Sequence, residues 1–176
     1  QMNMGKGEVC IKTLNHSFIR AQPAVVDFNL NVSSGEFVSI VGPSGCGKTT
    51  VLNILAGLIP HSNGDVHVNG RIPFAGRADV AYMLARDCLL PWLTARDNAT
   101  FGNTIRNVPR QQREALADKF LDAVKLSDFK DRYPKELSHG MRQRVALART
   151  FAMDSSLLLM DEPFGAIDAQ TKLRLK

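Results

Sequence analysis

The stretch GPSGCGKTT, residues 42–50, constrains the fold of this chain more than any other feature. It matches the pattern G-x-x-x-x-G-K-[ST], with Gly42, Gly47, Lys48 and Thr49 at the fixed positions. The preceding segment EFVSIVG is almost uniformly apolar, as a buried parallel strand would be. The following segment TTVLNILAGL predicts a helix. A strand, a glycine-rich loop and a helix in succession predict an α/β core.

The same loop is suited to holding phosphate. Glycine lets the backbone wrap closely around phosphate oxygens, and the loop N–H groups and the helix N-terminus supply positive partial charge. We expect Lys48 to reach the β- and γ-phosphates of ATP and Thr49 to ligate Mg²⁺. The predicted nucleotide-binding residues here are Gly42, Pro43, Ser44, Gly45, Cys46, Gly47, Lys48, Thr49 and Thr50.

A second candidate site follows the apolar run SLLLM, where Asp161 and Glu162 end a predicted strand. In that position Asp161 would lie beside the metal, and Glu162 could orient and deprotonate an attacking water. An Asp-Glu pair at an exposed strand end is common without any function. Its occurrence together with the phosphate loop favours the catalytic interpretation.

The rest of the chain divides into strand-rich flanks and a helical middle. Residues 25–32 alternate, which predicts a half-buried antiparallel strand with Val26, Phe28, Leu30 and Val32 on one face. Residues 64–70 and 79–84 predict two more strands. Helical spacing follows Pro109 (Leu116, Phe120, Val124) and recurs later in the chain (Met141, Val145, Ala148, Ala152).

Composition indicates a globular protein for a reducing compartment. Lysine and arginine exceed the acids by 22 − 17 = 5, a mild excess that suits an anionic ligand or an ordinary protein surface. The cysteines, Cys10, Cys46 and Cys88, are too scattered to suggest a disulfide framework or a zinc site. No window resembles a membrane span or a signal peptide. We expect a soluble protein unless a partner recruits it.

The stretch LSHGMRQR, residues 137–144, reads as a helix start with Ser138 at the N-cap. Together with GPSGCGKTT and LLLMDEPFGAIDAQT, in this order, it resembles the ATP-binding subunit of an ABC transporter. The segment LLPWLTARDN is similar to the matching part of importers for nitrate, sulfonate, taurine and bicarbonate. The resemblance covers nearly the whole chain.

The resemblance implies an α/β fold: a P-loop NTPase core with an N-terminal antiparallel β portion and an inserted α-helical subdomain. The implied boundaries are 1–85 for the first part of the core, 86–153 for the helical subdomain and 154–176 for the return to the core. The family's switch histidine would fall beyond Lys176. We therefore expect the C-terminal part of the domain to be missing and the activity to be weak.

Further site residues follow from the resemblance. Phe18 matches an aromatic ring that stacks on adenine, although a core position on a strand is an equal alternative. Ser138 and Gly140 match positions that contact the γ-phosphate of ATP held by the opposite subunit. Asp168 matches a loop that crosses the dimer interface, and Asp161 and Glu162 match the metal-binding and catalytic acids.

Three substitutions depart from the family pattern. Ala85 occupies the place of a glutamine that contacts the metal and the attacking water, which puts a direct metal role for this loop in doubt; Arg86 or Asp87 could compensate. His139 replaces the first glycine of the signature, and Met141 replaces a glutamine. Met141 removes half of a reciprocal capping box. The arginines of this stretch are expected to serve the helix flank and contacts within the subdomain.

The partners implied are a membrane permease docked on the helical subdomain and a second ATP-binding subunit, identical or paralogous. A periplasmic or extracellular solute-binding protein would act indirectly, and no nucleic acid is expected. The implied location is cytoplasmic, on the inner face of the cell membrane. An ABC-type ATPase acting on DNA or the ribosome is the main alternative, since it shares the three motifs. A P-loop kinase or GTPase has no use for the LSHG-RQR segment.

Overall fold

The computed structural model describes residues 6–19 and 22–162 of the chain. The chain divides into two compact units, Gln1–Val80 and Ala81–Lys176. Within the described residues, no helix is both long and apolar enough to cross a membrane.

The first unit contains a three-stranded antiparallel sheet. Its strands are β1 (Val9–Ile19), β2 (Gln22–Val32) and β3 (Asn63–Val68), in the order β2-β1-β3. Alternating apolar side chains of β1 and β3 build its core, and Leu14 and Val68 are fully buried. Helix α1 (Lys48–Leu55) buries Val51, Ile54 and Leu55. The antiparallel portion and the helix after the phosphate loop are thus present as predicted.

The buried face of β2 differs from the prediction at one position. Val26 is 65% exposed, whereas Val25 is 7% exposed. The register between β1 and β2 shifts here, because Asp27 takes a φ of 44° and its N–H donates to the Asn15 side chain at 3.0 Å. Such an irregularity moves the residues on one side of it to the other face of the strand. The expectation that Val26 shares a face with Phe28 is therefore wrong.

The strand predicted at residues 36–42 is absent from the described structure. Phe37 and Val41 are 83% and 89% exposed, and no strand hydrogen bonds form in this segment. A buried parallel strand requires a hydrogen-bonded neighbour beside it. The strands described in the first unit pair only with one another, so none of them supplies that neighbour.

Strand β4 (Val80–Met83), which begins at the last residue of the first unit, pairs with β5 (Leu157–Met160), and four helices of the second unit lie between the two in the chain. The helices are α2 (Ala95–Ala99), α3 (Phe101–Ile105), α4 (Arg110–Ala123) and α5 (His139–Ala152), with 3₁₀ turns at Ser127–Phe129 and Pro134–Glu136. Both strands and both long helices were predicted. Pro109 lies at the N-cap of α4, as its missing N–H allows.

The core of this unit is built by small and aliphatic side chains. Their sizes suit close helix packing, and α5 faces both α2 and α4. Val145, Ala148 and Ala152 of the predicted stripe on α5 are fully buried. The members of the cluster are Ala95, Ala99, Leu121, Leu126, Leu137, Val145 and Ala148.

Candidate functional site

Residues 42–47 form an exposed loop that leads into α1. Gly45 and Gly47 take φ values of 81° and 93°, a region that favours glycine. A Cβ on Gly47 would lie 2.4 Å from the carbonyl oxygen of Ala24 on β2. Gly47 is therefore required twice, for its conformation and for the close approach of the neighbouring strand.

The side chain of Lys48 folds back over the loop. Its Nζ donates to the carbonyl oxygens of Gly42 at 2.8 Å and Pro43 at 2.7 Å, and Cys46 Sγ lies 3.6 Å away. The ammonium group therefore lies against the loop into which phosphate is expected to bind. It joins the first residues of the loop to the start of α1.

The remaining side chains predicted to bind nucleotide lie at or near the protein surface. Ser44, Cys46 and Thr49 are exposed, and Thr50 is half-buried in the first turn of α1. Gly47 supplies no side-chain cap to the helix, and the first turn carries no acidic residue. The helix end is thus electrostatically favourable for an anion.

Phe18 lies near the end of β1 and is 65% exposed, so it is not a core residue. Its ring packs edge-on against the buried His16, with centroids 4.6 Å apart. A ring exposed to this extent is accessible to a ligand. The stacking role predicted for Phe18 stays a prediction.

Helix α5 begins at the predicted place. Ser138 is its N-cap, with extended backbone, and Ser138 Oγ accepts a hydrogen bond from the N–H of Met141 at 3.3 Å. Ser138 and His139 are exposed, and Gly140 lies in the first turn. This helix end is therefore presented to solvent with the serine in place, as the sequence predicted.

The arginines of α5 make contacts inside the second unit, which confirms the role expected for them. Arg144 donates to the carbonyl of Val124 at 3.1 Å, and Arg142 donates to the carbonyl of Leu137 at 2.9 Å. Arg142 Nε also pairs with the carboxylate of Asp87 at 3.1 Å.

An open cleft of about 570 Å³ lies within the second unit. It brings together several positions that the sequence singled out separately. Ala85 borders it in place of the family glutamine, and His139 borders it beside the signature position. The carboxylate-bearing Glu162 also lines it. The full lining is Ala85, Arg86, Asp87, Cys88, His139, Gln143 and Glu162.

Asp161 and Glu162 follow β5 in two different environments. Asp161 is 6% exposed, and its N–H donates to the carbonyl of Met83 on β4 at 2.9 Å. Glu162 is exposed and takes a φ of 50°, which ends the extended strand. Burial raises the pKa of the neighbouring Tyr82 to about 12, and the negative charge of Asp161 acts in the same direction. A buried acid followed by an exposed one suits the metal-binding and base roles predicted for them.

The metal-binding roles of Thr49 and Asp161, which lie in different units, stay predictions. Thr49 offers a hydroxyl and Asp161 a carboxylate, and Mg²⁺ is bound in proteins by few such oxygen ligands together with phosphate oxygens and water. Asp168, the remaining predicted residue, lies outside the described residues.

Asn98 holds the loop that follows the cleft-lining residues, a role that the sequence does not predict. It is completely buried on α2. Its Oδ1 accepts from Leu90 N–H at 2.8 Å, and its Nδ2 donates to the carbonyls of Leu90, Leu93 and Thr94 at 3.0–3.1 Å. One asparagine thus satisfies several main-chain groups of a loop. No periodic signal in the sequence marks it, because its partners follow only from the folded chain.

Comparison with known proteins places the chain in a family. A family model described as ABC transporter matches residues 25–165. An uncharacterized ABC transporter ATP-binding protein of Bacillus subtilis is 48% identical over 153 residues, which cover 87% of this chain and 59% of that protein. A taurine import ATP-binding protein of Chromobacterium violaceum is 47% identical, with 89% of this chain and 60% of that protein covered. The chain thus spans less than two thirds of the length of these relatives.

Solved structures agree with the sequence relatives. A dimeric ATP-binding cassette in a post-hydrolysis state, bound to ADP and Pi, matches with a TM-score of 0.85 and 30% identity, over 95% of this chain and 79% of that one. The expected α/β cassette fold, with its antiparallel portion and inserted helices, is thereby confirmed. The motifs around Lys48, Ser138 and Asp161 also gave the correct family, since this chain belongs to the ABC transporters and is related to their ATP-binding subunits.

Proposed function

We propose that the chain binds and hydrolyses Mg-ATP as the motor subunit of an ABC importer. The observation that carries the proposal is the loop at residues 42–47. Gly47 is forced by the approach of Ala24, and Lys48 Nζ holds the carbonyls of Gly42 and Pro43. This arrangement places an ammonium group and a helix N-terminus at one exposed loop.

In this function the first unit binds the nucleotide. The loop N–H groups and Lys48 would hold the β- and γ-phosphates, and the exposed ring of Phe18 would stack on adenine. Thr49 and Asp161 would hold the metal. When bound, Mg²⁺ neutralises the charge that develops on the phosphate oxygens.

The second unit supplies the groups that act on the attacking water and on the phosphate of the other subunit. Glu162, exposed at the cleft, would accept a proton from the water. Ser138 and the first-turn N–H groups of α5 would meet the γ-phosphate of ATP held by a second subunit, and Asp168 would lie at the dimer interface. The dimeric state described for a solved relative supports this arrangement.

Closure of such a dimer on ATP and its opening after hydrolysis would drive a separate membrane permease docked on the helical subdomain. The taurine-importing relative favours a sulfonate as the transported solute. The likeness of LLPWLTARDN to importers of other small oxyanions keeps nitrate and bicarbonate as alternatives. The protein would then act in the cytoplasm, at the inner face of the membrane. Within the described residues the longest helices of the second unit have 14 residues each, which gives no support to a DNA-acting ATPase with a long coiled coil.

Glu162→Gln tests the proposal. The amide cannot accept the proton, so we expect kcat to fall at least a hundredfold, at the lower end of the range for general base removal. ATP should remain bound, and a dimer should be detectable by size-exclusion chromatography at saturating ATP. The matched variant Lys48→Ala should lose both ATP binding and the dimer. A Glu162→Gln chain that stays monomeric with ATP bound would refute the dimer mechanism.

A further inference from the structure

The loop that borders the cleft is fixed to α5 by one guanidinium group. Arg149 Nη2 donates to the carbonyl of Asp87 at 2.6 Å, and Nη1 donates to the carbonyl of Cys88 at 3.0 Å. Two N–H groups of a rigid, planar fork therefore hold two successive carbonyls. Cys88 takes a φ of 46° at this point, a conformation that costs energy for a residue with a Cβ. The clamp holds the loop in that conformation.

Arg149 is half-buried, and burial lowers its pKa while Cys88 and Asp87 act in the opposite direction. A guanidinium stays charged in any protein environment. Its desolvation must therefore be offset by good hydrogen bonds, which the two loop carbonyls provide. The loop and the helix are thus mutually dependent at this contact.

A second arginine of the same helix holds the side chain of Asp87. Arg142 Nε pairs with Oδ2 at 3.1 Å, while the N–H of Leu89 donates to Oδ1 at 3.3 Å. The side chains of Arg142 and Asp87 are 31% and 20% exposed. Both carboxylate oxygens of Asp87 are thus engaged, one by the helix and one by the loop itself.

We propose that Arg149 is a positioning residue, with Arg142 in support. It fixes the backbone at residues 87 and 88 to α5, so that the loop beside Glu162 and the helix end at Ser138 move as one body. In a chain with Ala85 in place of glutamine, this backbone clamp provides the mechanical link between the hydrolysis site and the helical subdomain. The inference rests on the proposed function.

Hydrogen exchange in the full chain tests the clamp without nucleotide. In Arg149→Ala we expect amides of residues 86–89 to exchange at least tenfold faster, the loss expected when hydrogen bonds to a charged group are removed. Residues 90–98 should keep their protection, because Asn98 holds that segment independently. Arg144→Ala is the matched control, since Arg144 lies on the same helix and donates instead to Val124. Equal exchange at residues 86–89 in the two variants would overturn the clamp.

Steady-state kinetics tests the positioning role. Arg149→Ala should lower kcat about tenfold while the KM for ATP stays within about twofold, because an interaction that acts on the catalytic step alone leaves nucleotide binding intact. Arg149→Lys, which keeps the charge but cannot hold both carbonyls in one fork, should fall between Arg149→Ala and the unchanged chain. Because Arg149→Lys keeps the charge and most of the side chain, an intermediate kcat in this variant also shows that the loss in Arg149→Ala is not simple misfolding. Arg144→Ala should retain kcat.

The proposed function and the positioning role of Arg149 can be refuted independently. If the unchanged chain neither binds nor hydrolyses ATP, the proposed function is wrong, and the exchange comparison still decides whether Arg149 holds the loop. If the chain hydrolyses ATP and Arg149→Ala has the kcat of Arg144→Ala, the positioning role is wrong and the proposed function stands.

Discussion

Gly47 and Gly35 share a left-handed backbone but differ in their surroundings. Their φ values are 93° and 77°, so both avoid a conformation that costs other residues about 1–2 kcal/mol. A Cβ on Gly35 would have no atom within 4 Å, whereas one on Gly47 would lie 2.4 Å from a backbone oxygen. Position 47 of the phosphate loop therefore requires glycine for two reasons, the left-handed backbone and the close approach of a backbone oxygen.

Gly47→Ala should consequently cost more than Gly35→Ala. We expect Gly35→Ala to lower the free energy of unfolding by about 1–2 kcal/mol and to leave ATP affinity unchanged. Gly47→Ala should cost more than that and weaken ATP binding at least tenfold, because the loop must move away from β2. Urea unfolding and ATP titration measure the two effects. Similar ATP affinities in both variants would show that the loop accepts a Cβ at position 47.

At the scale of the helix, two N-caps make a natural comparison. Ser138 caps α5 by accepting from Met141 N–H at 3.3 Å, and Thr94 caps α2 by accepting from Asp97 N–H at 3.2 Å. Each cap is worth about 1 kcal/mol to the stability of the protein. Only Ser138 is proposed to meet a phosphate as well.

Ser138→Ala and Thr94→Ala should therefore reduce the free energy of unfolding by similar amounts, about 1 kcal/mol each. Only Ser138→Ala should also weaken ATP-dependent dimerisation, measured in the Glu162→Gln background by size-exclusion chromatography. If Thr94→Ala weakens the dimer equally, the loss reflects helix stability and Ser138 has no direct role at the interface.

The elements differ in how far their sequences predict them. Strands β2 to β5, α1, α4 and α5 follow from periodicity and from Pro109 and Ser138 as start signals. The exposure of Val26 could not be predicted from the sequence. Alternation assumes that successive side chains keep a constant period along the strand, whereas the irregularity at Asp27 depends on a hydrogen bond to the side chain of Asn15. Helices α2 and α3 have five residues each, too few to show a period.

The site was predictable to the extent that its chemistry is local in sequence. The phosphate loop and the Asp161-Glu162 pair are contiguous motifs, so their residue types disclose their chemistry. Arg149 joins α5 to a loop about 60 residues earlier in the chain, and the residue type alone gives no sign of that contact. The partners of Asn98 lie only four to eight residues before it, but they are main-chain groups, which no side-chain pattern marks. The strand expected at residues 36–42 belongs to the same class as the Arg149 contact, since its pairing depends on distant neighbours.

At the scale of the whole molecule, the proposed site is divided between two chains. Lys48 would come from one subunit and Ser138 from the other, so that two equivalent sites form in a head-to-tail dimer. Chains carrying Lys48→Ala or Ser138→Ala alone should then be inactive by themselves. A mixed dimer of the two variants should contain one site with both residues intact.

Mixing the two variants should therefore restore ATP hydrolysis. At equal amounts about half of the dimers are mixed and each has one intact site, so we expect up to about a quarter of the activity of the unchanged chain. The control joins both substitutions in one chain and mixes it with the unchanged chain. Its mixed dimers have no intact site if the residues act across the interface, but keep one if they act within a chain. The proposal would be refuted if the first mixture were inactive while the control mixture exceeded the activity of the unchanged homodimers it contains. Lys48 and Ser138 would then belong to one subunit's site, and the basis for ATP-driven closure of two chains would be lost.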